Sequence, residues 1–191
     1  MDTQLLVNAI NNNKIVIIPS ESCYGISCLA ASLSAVAKIH QIKEESQDKP
    51  LTLLVSDISQ IEPIGELNHN AIKLSNTFHP GPISIIIELK SDNYSYLSPD
   101  GIAFRIPGDE FTRNLITMLG QPIVTTSANI HGDAPIYNQN DLDVFKSKVD
   151  YIYESGDLDS NILPSTIYDS RSNKILREGP ITSEQIHKSL K

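Results

Sequence analysis

Four stretches of this chain collect hydroxyls, amides and cations where a strand should end. They are "PSESCYG" (19–25) with Ser20, Ser22 and Tyr24, "KEESQDKP" (43–50) with Lys43 and Lys49, "TTSANIHG" (125–132) with Thr125, Ser127 and Asn129, and "LPSTIYD" (163–169) with Ser165 and Thr166. Short polar side chains at a strand end are either ordinary turn chemistry or the loops with which open α/β sheets hold ligands. Two arginines lie inside strand-like runs, Arg105 in "IAFRIP" and Arg177 in "ILREGP". Each sits on an exposed strand face or pairs with an anion, because a buried guanidinium without a partner is costly. Two arginines together with hydroxyl loops point to a polar, cationic site for a carboxylate or phosphates. No Ser-His-Asp arrangement stands out. His40, His69, His79, His131 and His187 have no metal-ligand spacing and are expected at the surface. The phosphate-loop, dinucleotide and zinc-protease patterns are also missing, so a nucleotide bound here is held without a standard phosphate loop.

These loops need elements to position them. The periodicity predicts helices over 2–12, 34–44 with Ser34 as N-cap, 57–62, 69–78, 109–119, 141–148 and from 183 onward, where Thr182 and Gln185 fit a capping box. Apolar runs predict strands at "KIVIIP", "LTLLV", "ISIIIEL", "GIAFRI", "PIVTTS", "YIYES", "STIYD" and "KILRE". "HPGP" is a hard break. Helices and strands mix without strict βαβ alternation, so the expected fold is α/β: one domain, 1–191, with a twisted mixed sheet flanked by helices.

Composition narrows the function. At 191 residues and 40% hydrophobic content the chain can bury a core. The longest apolar runs are far short of a membrane span, and "MDTQLLVNAI" lacks a basic start and an apolar h-region, so neither membrane nor export is expected and the cytoplasm is. Net charge of −8 speaks against general nucleic-acid affinity but allows a local basic cleft. Lys38, Lys43 and Lys49 form a solvated helix face unless an anion is implied. Cys23 and Cys28 read as two buried free thiols.

Seven motifs in one order carry a resemblance. The loop "PSESCYG" is similar to P-T-E-T-x-Y-G, and "KEESQDKP" to K-x-R followed by Lys-Pro or Asn-Pro. "HPGPISIII", "IAFRIP", "SANIHG", "PSTIYD" and "LREGP" follow in the same sequence. In these the chain resembles the YrdC-like family, the threonylcarbamoyl-AMP synthases, across nearly its whole length. The resemblance implies an open cationic cleft and an ATP-using enzyme. Threonine and bicarbonate form an N-carboxylate. It attacks the α-phosphate, displaces pyrophosphate and yields an adenylate used to modify adenosine in tRNA. ATP enters as substrate with Mg2+, with no tightly bound cofactor and no dedicated metal site. Implied partners are L-threonine, bicarbonate and a downstream threonylcarbamoyl-transferase machinery, and the resemblance allows contact with tRNA. The implied catalytic set is Lys43, Ser127 and Asn129. Ser22, Arg105, Thr125 and Ser165 are assigned to threonine, and Lys43, Lys49, Ser127, Asn129 and Arg177 to ATP.

One motif is broken. Glu45 stands at the arginine of K-x-R. A carboxylate beside phosphates repels them, and losing one aimed donor costs roughly a hundred- to a thousandfold in rate. Lys38 or Lys49 is then expected to cover the gap. The alternative is a divergent relative that binds nucleotide or RNA with weak or no synthesis. A carbamoyl-adenylate module of hydrogenase-maturation type is a third reading, which two cysteines disfavour. Ser20 and Ser22 in place of threonines keep the hydroxyls, and His79 in place of an aromatic is expected to act through packing.

Overall fold

A computed structural model describes residues 3–98 and 100–191. The helices are α1 (Thr3–Asn11), α2 (Leu33–Lys43), α3 (His69–Phe78), α4 (Glu110–Leu119) and α5 (Ser183–Leu190). The strands are β1 (Val16–Pro19), β2 (Tyr24–Leu29), β3 (Thr52–Leu54), β4 (Gly65–Glu66), β5 (Ile83–Leu89), β6 (Ile102–Arg105), β7 (Ile123–Ser127), β8 (Tyr151–Ile152), β9 (Thr166–Asp169) and β10 (Lys174–Arg177). They form one sheet in the order β10-β9-β5-β6-β3-β7-β2-β1-β8, with β4 on β5. The β1–β8, β3–β6 and β5–β9 pairs are parallel and the others antiparallel, so the sheet is mixed as expected.

Side-chain alternation divides the core. Ile15 and Ile17 join Leu53, Val124 and the inner faces of α2, α3 and α5. Val16 and Ile18 join Leu54, Ile123 and the apolar stripes of α1 and α4. Burial on both faces is why "IVII" reads as an unbroken apolar run. The α4 stripe of Thr112, Leu115, Ile116 and Leu119 is buried, and the helix is closed by Asp109, which accepts the Thr112 amide at 2.7 Å, and by left-handed Gly120. The Thr182–Gln185 capping box is present at α5.

Several expectations shift. The N-cap of α2 is Ser32, not Ser34, because Ser32 Oγ takes the Ala35 amide. The helices expected at 57–62 and 141–148 are short 3-10 turns, Ile58–Gln60 and Gln139–Phe145. The polar loop "SESCYG" ends early, since Tyr24 and Gly25 already belong to β2. That strand is polar at Ser27 and hides its period behind Gly25 and Cys28. His40 and His79 are not at the surface: His40 is 1% exposed, and half-buried His79 stacks edge-on to Phe104. Cys28 is buried but Cys23 only half-buried, and both are free thiols. Among the described residues no helix is long and apolar enough to cross a membrane.

Candidate active site

The helices α1 and α4 cover only part of one sheet face. On that same face, further across, stand the alternate residues of β7, β3, β5 and β6: Thr125 and Ser127, Thr52, Ser84, and Arg105. Uncovered, they floor an open cleft of about 410 Å³. Strand register assembles it: Gly25 lies opposite Ser127, Thr52 opposite Thr125, and Ile167 opposite both Ser84 and Arg177. Ser20, Ser22, Cys23, Ser165, Pro164 and Ile162 complete much of its wall. Among the described residues two arginines and no acidic side chain line it, which suits an anionic guest.

Of the residues singled out in the sequence, Ser22, Arg105, Thr125, Ser127, Ser165 and Arg177 line this one cleft. Lys43 and Asn129 stand one contact away. Lys43 is 3% exposed, and its ammonium donates to the Ser127 carbonyl at 2.8 Å, the Asn129 carbonyl at 3.0 Å and Asn129 Oδ1 at 2.8 Å. Ser127 Oγ donates to the same Oδ1 at 2.6 Å, and Asn129 Nδ2 donates to the Ile130 and Asp133 carbonyls. One lysine and one asparagine thus hold the whole turn after β7. Burial pushes the Lys43 pKa down and Glu45 pulls it back up. Lys49 is exposed, outside the cleft wall beside Pro50, with its ammonium 3.5 Å from His131 Nδ1.

Arg177 donates through Nε to the Ser165 carbonyl at 2.9 Å and through Nη2 to Ser165 Oγ at 3.3 Å. Ser165 Oγ is also 3.0 Å from Ser84 Oγ. Burial and the like charge of Arg105 lower the Arg177 pKa. Arg105, 7% exposed, pairs with Glu21, Nη1 to Oε2 at 3.3 Å. Burial raises the Cys23 thiol despite help from Ser22 and Arg105. Gly25 explains the glycine of "PSESCYG": a Cβ there would stand 2.6 Å from Thr125 Oγ1, the acceptor of Ser27 Oγ at 3.0 Å.

Glu45 does not face the cleft. Its carboxylate packs 3.3 Å from His40 Nδ1, off the line of a hydrogen bond, with a side chain 6% exposed. The left-handed Glu44 causes this, because it turns the chain so that the Glu45 amide caps the His40 carbonyl at 3.1 Å. The expected repulsion at the phosphate position is therefore corrected to an inward brace. Lys38 reaches instead toward Asp150, 3.9 Å away. Four polar lining residues carried no expectation: Thr52, Ser84, Thr126 and Tyr137. Ser84 was detectable as the polar interruption of "ISIIIEL"; Tyr137 gave no local signal. Among the described residues no three His, Cys, Asp or Glu side chains gather as a metal cluster.

The Sua5/YciO/YrdC family model, described as "Telomere recombination", matches residues 8–179. The chain belongs to this family. A Methanocaldococcus jannaschii protein named provisionally as a threonylcarbamoyl-AMP synthase is 36% identical over 187 residues, 96% of this chain and 88% of its own length. Among solved structures of the Sua5/YciO/YrdC kind, P. abyssi Sua5 complexed with L-threonine superposes with a TM-score of 0.88 at 26% identity, over 98% of this chain. The chain spans 57% of that protein's length. E. coli YciO shares the fold, with a TM-score of 0.79 at 21% identity over 94% of this chain and 91% of its own.

Proposed function

We propose that this chain makes L-threonylcarbamoyl-adenylate from L-threonine, bicarbonate and ATP. The observation that carries the reading is the convergence of Arg105, Arg177 and a set of hydroxyls on one cleft that, among the described residues, no acid lines. The family membership and the M. jannaschii relative support it.

Every participant is anionic, so the site's task is to bring negative groups together. Aimed cations and hydroxyl donors do this, and positioning supplies much of the rate. Arg105 takes the amino-acid carboxylate, with Ser22, Thr125 and Ser165 around the rest of threonine. The neutral amine adds to the carbon of bicarbonate with loss of water, giving the N-carboxylate. One of its oxygens attacks the α-phosphorus, and the bond to the β-phosphate oxygen breaks to release pyrophosphate. Ser127 and Arg177 address the phosphates from the cleft. Lys43 and Asn129 hold the turn that presents Ser127, and Lys49 stands outside the cleft wall for the departing pyrophosphate. Mg2+ arrives with the nucleotide. A cytoplasmic setting, a transferase that consumes the adenylate and contact with tRNA belong to the same reading. The inward Glu45 removes the main support for a relative that has lost synthesis.

The test is a product assay with ATP, magnesium, threonine and bicarbonate. Mass spectrometry should find threonylcarbamoyl-adenylate, with pyrophosphate released in step and both dependent on threonine and bicarbonate. Nucleotide binding without product overturns the proposal.

A further inference from the structure

Arg105 is an expensive residue to keep where it is. It is 7% exposed, its Nε has no hydrogen-bond partner, and the nearby Arg177 carries the same charge. A buried guanidinium so poorly bonded needs a counter-charge. Among the described residues the one carboxylate within ion-pair distance is Glu21, in the loop between β1 and β2.

Glu21 divides its two oxygens. Oε2 faces Arg105 Nη1 at 3.3 Å but makes no aligned hydrogen bond. Oε1 accepts the Gly108 amide at 2.7 Å. Gly108 belongs to the turn that leaves β6 just beyond Arg105. A Cβ at Gly108 would stand 2.1 Å from Oε1, so a larger residue there would push the carboxylate from this place. Arg113 holds the same turn from the other end, donating through Nη1 to the Pro107 carbonyl at 2.8 Å and to the Gly108 carbonyl. The carboxylate is thus anchored to a clamped turn and offers its second oxygen to Arg105. A single loose contact steadies the guanidinium while leaving most of its donors free.

We propose that Glu21 is the positioning residue for Arg105: anchored on the Gly108 amide, it fixes the guanidinium and leaves its remaining donors to the substrate carboxylate. This rests on the amino-acid site proposed above. Glu21 itself does not line the cleft and touches no reacting atom.

The experiment uses the full chain and the variants Glu21→Gln, Arg105→Ala and the double variant. Glutamine keeps an oxygen for the Gly108 amide and removes the charge. The contact concerns a charged group, so the KM for threonine should rise roughly ten- to a hundredfold in Glu21→Gln. The KM for ATP should stay within about threefold, inside the scatter of independent sites. In the Arg105→Ala background the Glu21 change should add nothing to the threonine KM. Multiplying effects in the double variant, or equal losses for threonine and ATP, would overturn the proposal. A second measurement needs no ligand: guanidinium NMR of Arg105 should show restricted rotation that Glu21→Gln releases. Free rotation in the unaltered chain also overturns it. If the unaltered chain neither binds threonine nor makes product, the amino-acid site fails and the role in substrate binding falls with it, even where the NMR shows Arg105 restrained.

Discussion

At the scale of single residues, the turn after β7 is held by polar groups that bond to one another. Asn129 Oδ1 receives both the Lys43 ammonium and the Ser127 hydroxyl. Asn129→Ala should therefore strand part of a buried cation and destabilise the chain by about 1–3 kcal/mol, read by urea denaturation, with ATP use falling alongside. Unchanged stability would show that water replaces the amide. Glu45→Arg is the opposite kind of test. The sequence presents it as restoring a missing cation, but the carboxylate is tucked against His40. The variant should lower the melting temperature without raising the rate of pyrophosphate release. A faster enzyme would mean that the new guanidinium swings into the cleft. The departure at Glu45 is visible in the sequence, whereas its direction depends on the left-handed Glu44.

At the scale of elements, β7, paired to β2, presents the hydroxyls of Thr125, Thr126 and Ser127 to the cleft. Their register puts Gly25 against Ser127 and Ser27 against Thr125. Gly25→Ala forces a methyl within 2.6 Å of Thr125 Oγ1. Overpacking of this kind costs about 1–3 kcal/mol, and the displaced hydroxyl should weaken threonine binding in calorimetry. A variant with native stability and native affinity would remove Thr125 from the site. The strands β1, β3, β5, β6, β7, β8, β9 and β10 were legible because each carries a run of apolar or β-branched residues. The strand β2 was not, because Gly25, Ser27 and Cys28 mask its pattern, and its stability comes from pairing on both edges.

At the scale of the whole molecule, stability carries a pH signature centred on His79. Burial, aided by the charge of Arg105, pushes its pKa down from 6.5 to about 4, against the bond to the Ile83 carbonyl that favours the cation. The unfolded chain binds a proton between these values and the folded chain does not. Stability from neutral His79 is complete above about pH 6.5 and is lost as pH falls toward 4, by about 3 kcal/mol in all. Denaturant titrations across this range should show that slope, and His79→Phe should flatten it while keeping the edge contact with Phe104. An equal slope in the variant would assign the acid response to other groups.

The sequence by itself determined the class of fold, the family and six of the polar residues that line the cleft, Ser22, Arg105, Thr125, Ser127, Ser165 and Arg177, because strand periodicity, turn residues and motif order are local properties of the chain. It also exposed Glu45 as a departure. Only the tertiary structure decided what those residues face. Strand order, set by long-range pairing, brought Arg105 beside Ser84 and Arg177 across from Ile167. The limited reach of α1 and α4 left part of a sheet face open as a cleft. Burial chose the partners of Lys43, Arg105 and Glu45, since a charge withdrawn from water must find its counterpart wherever the fold has placed one.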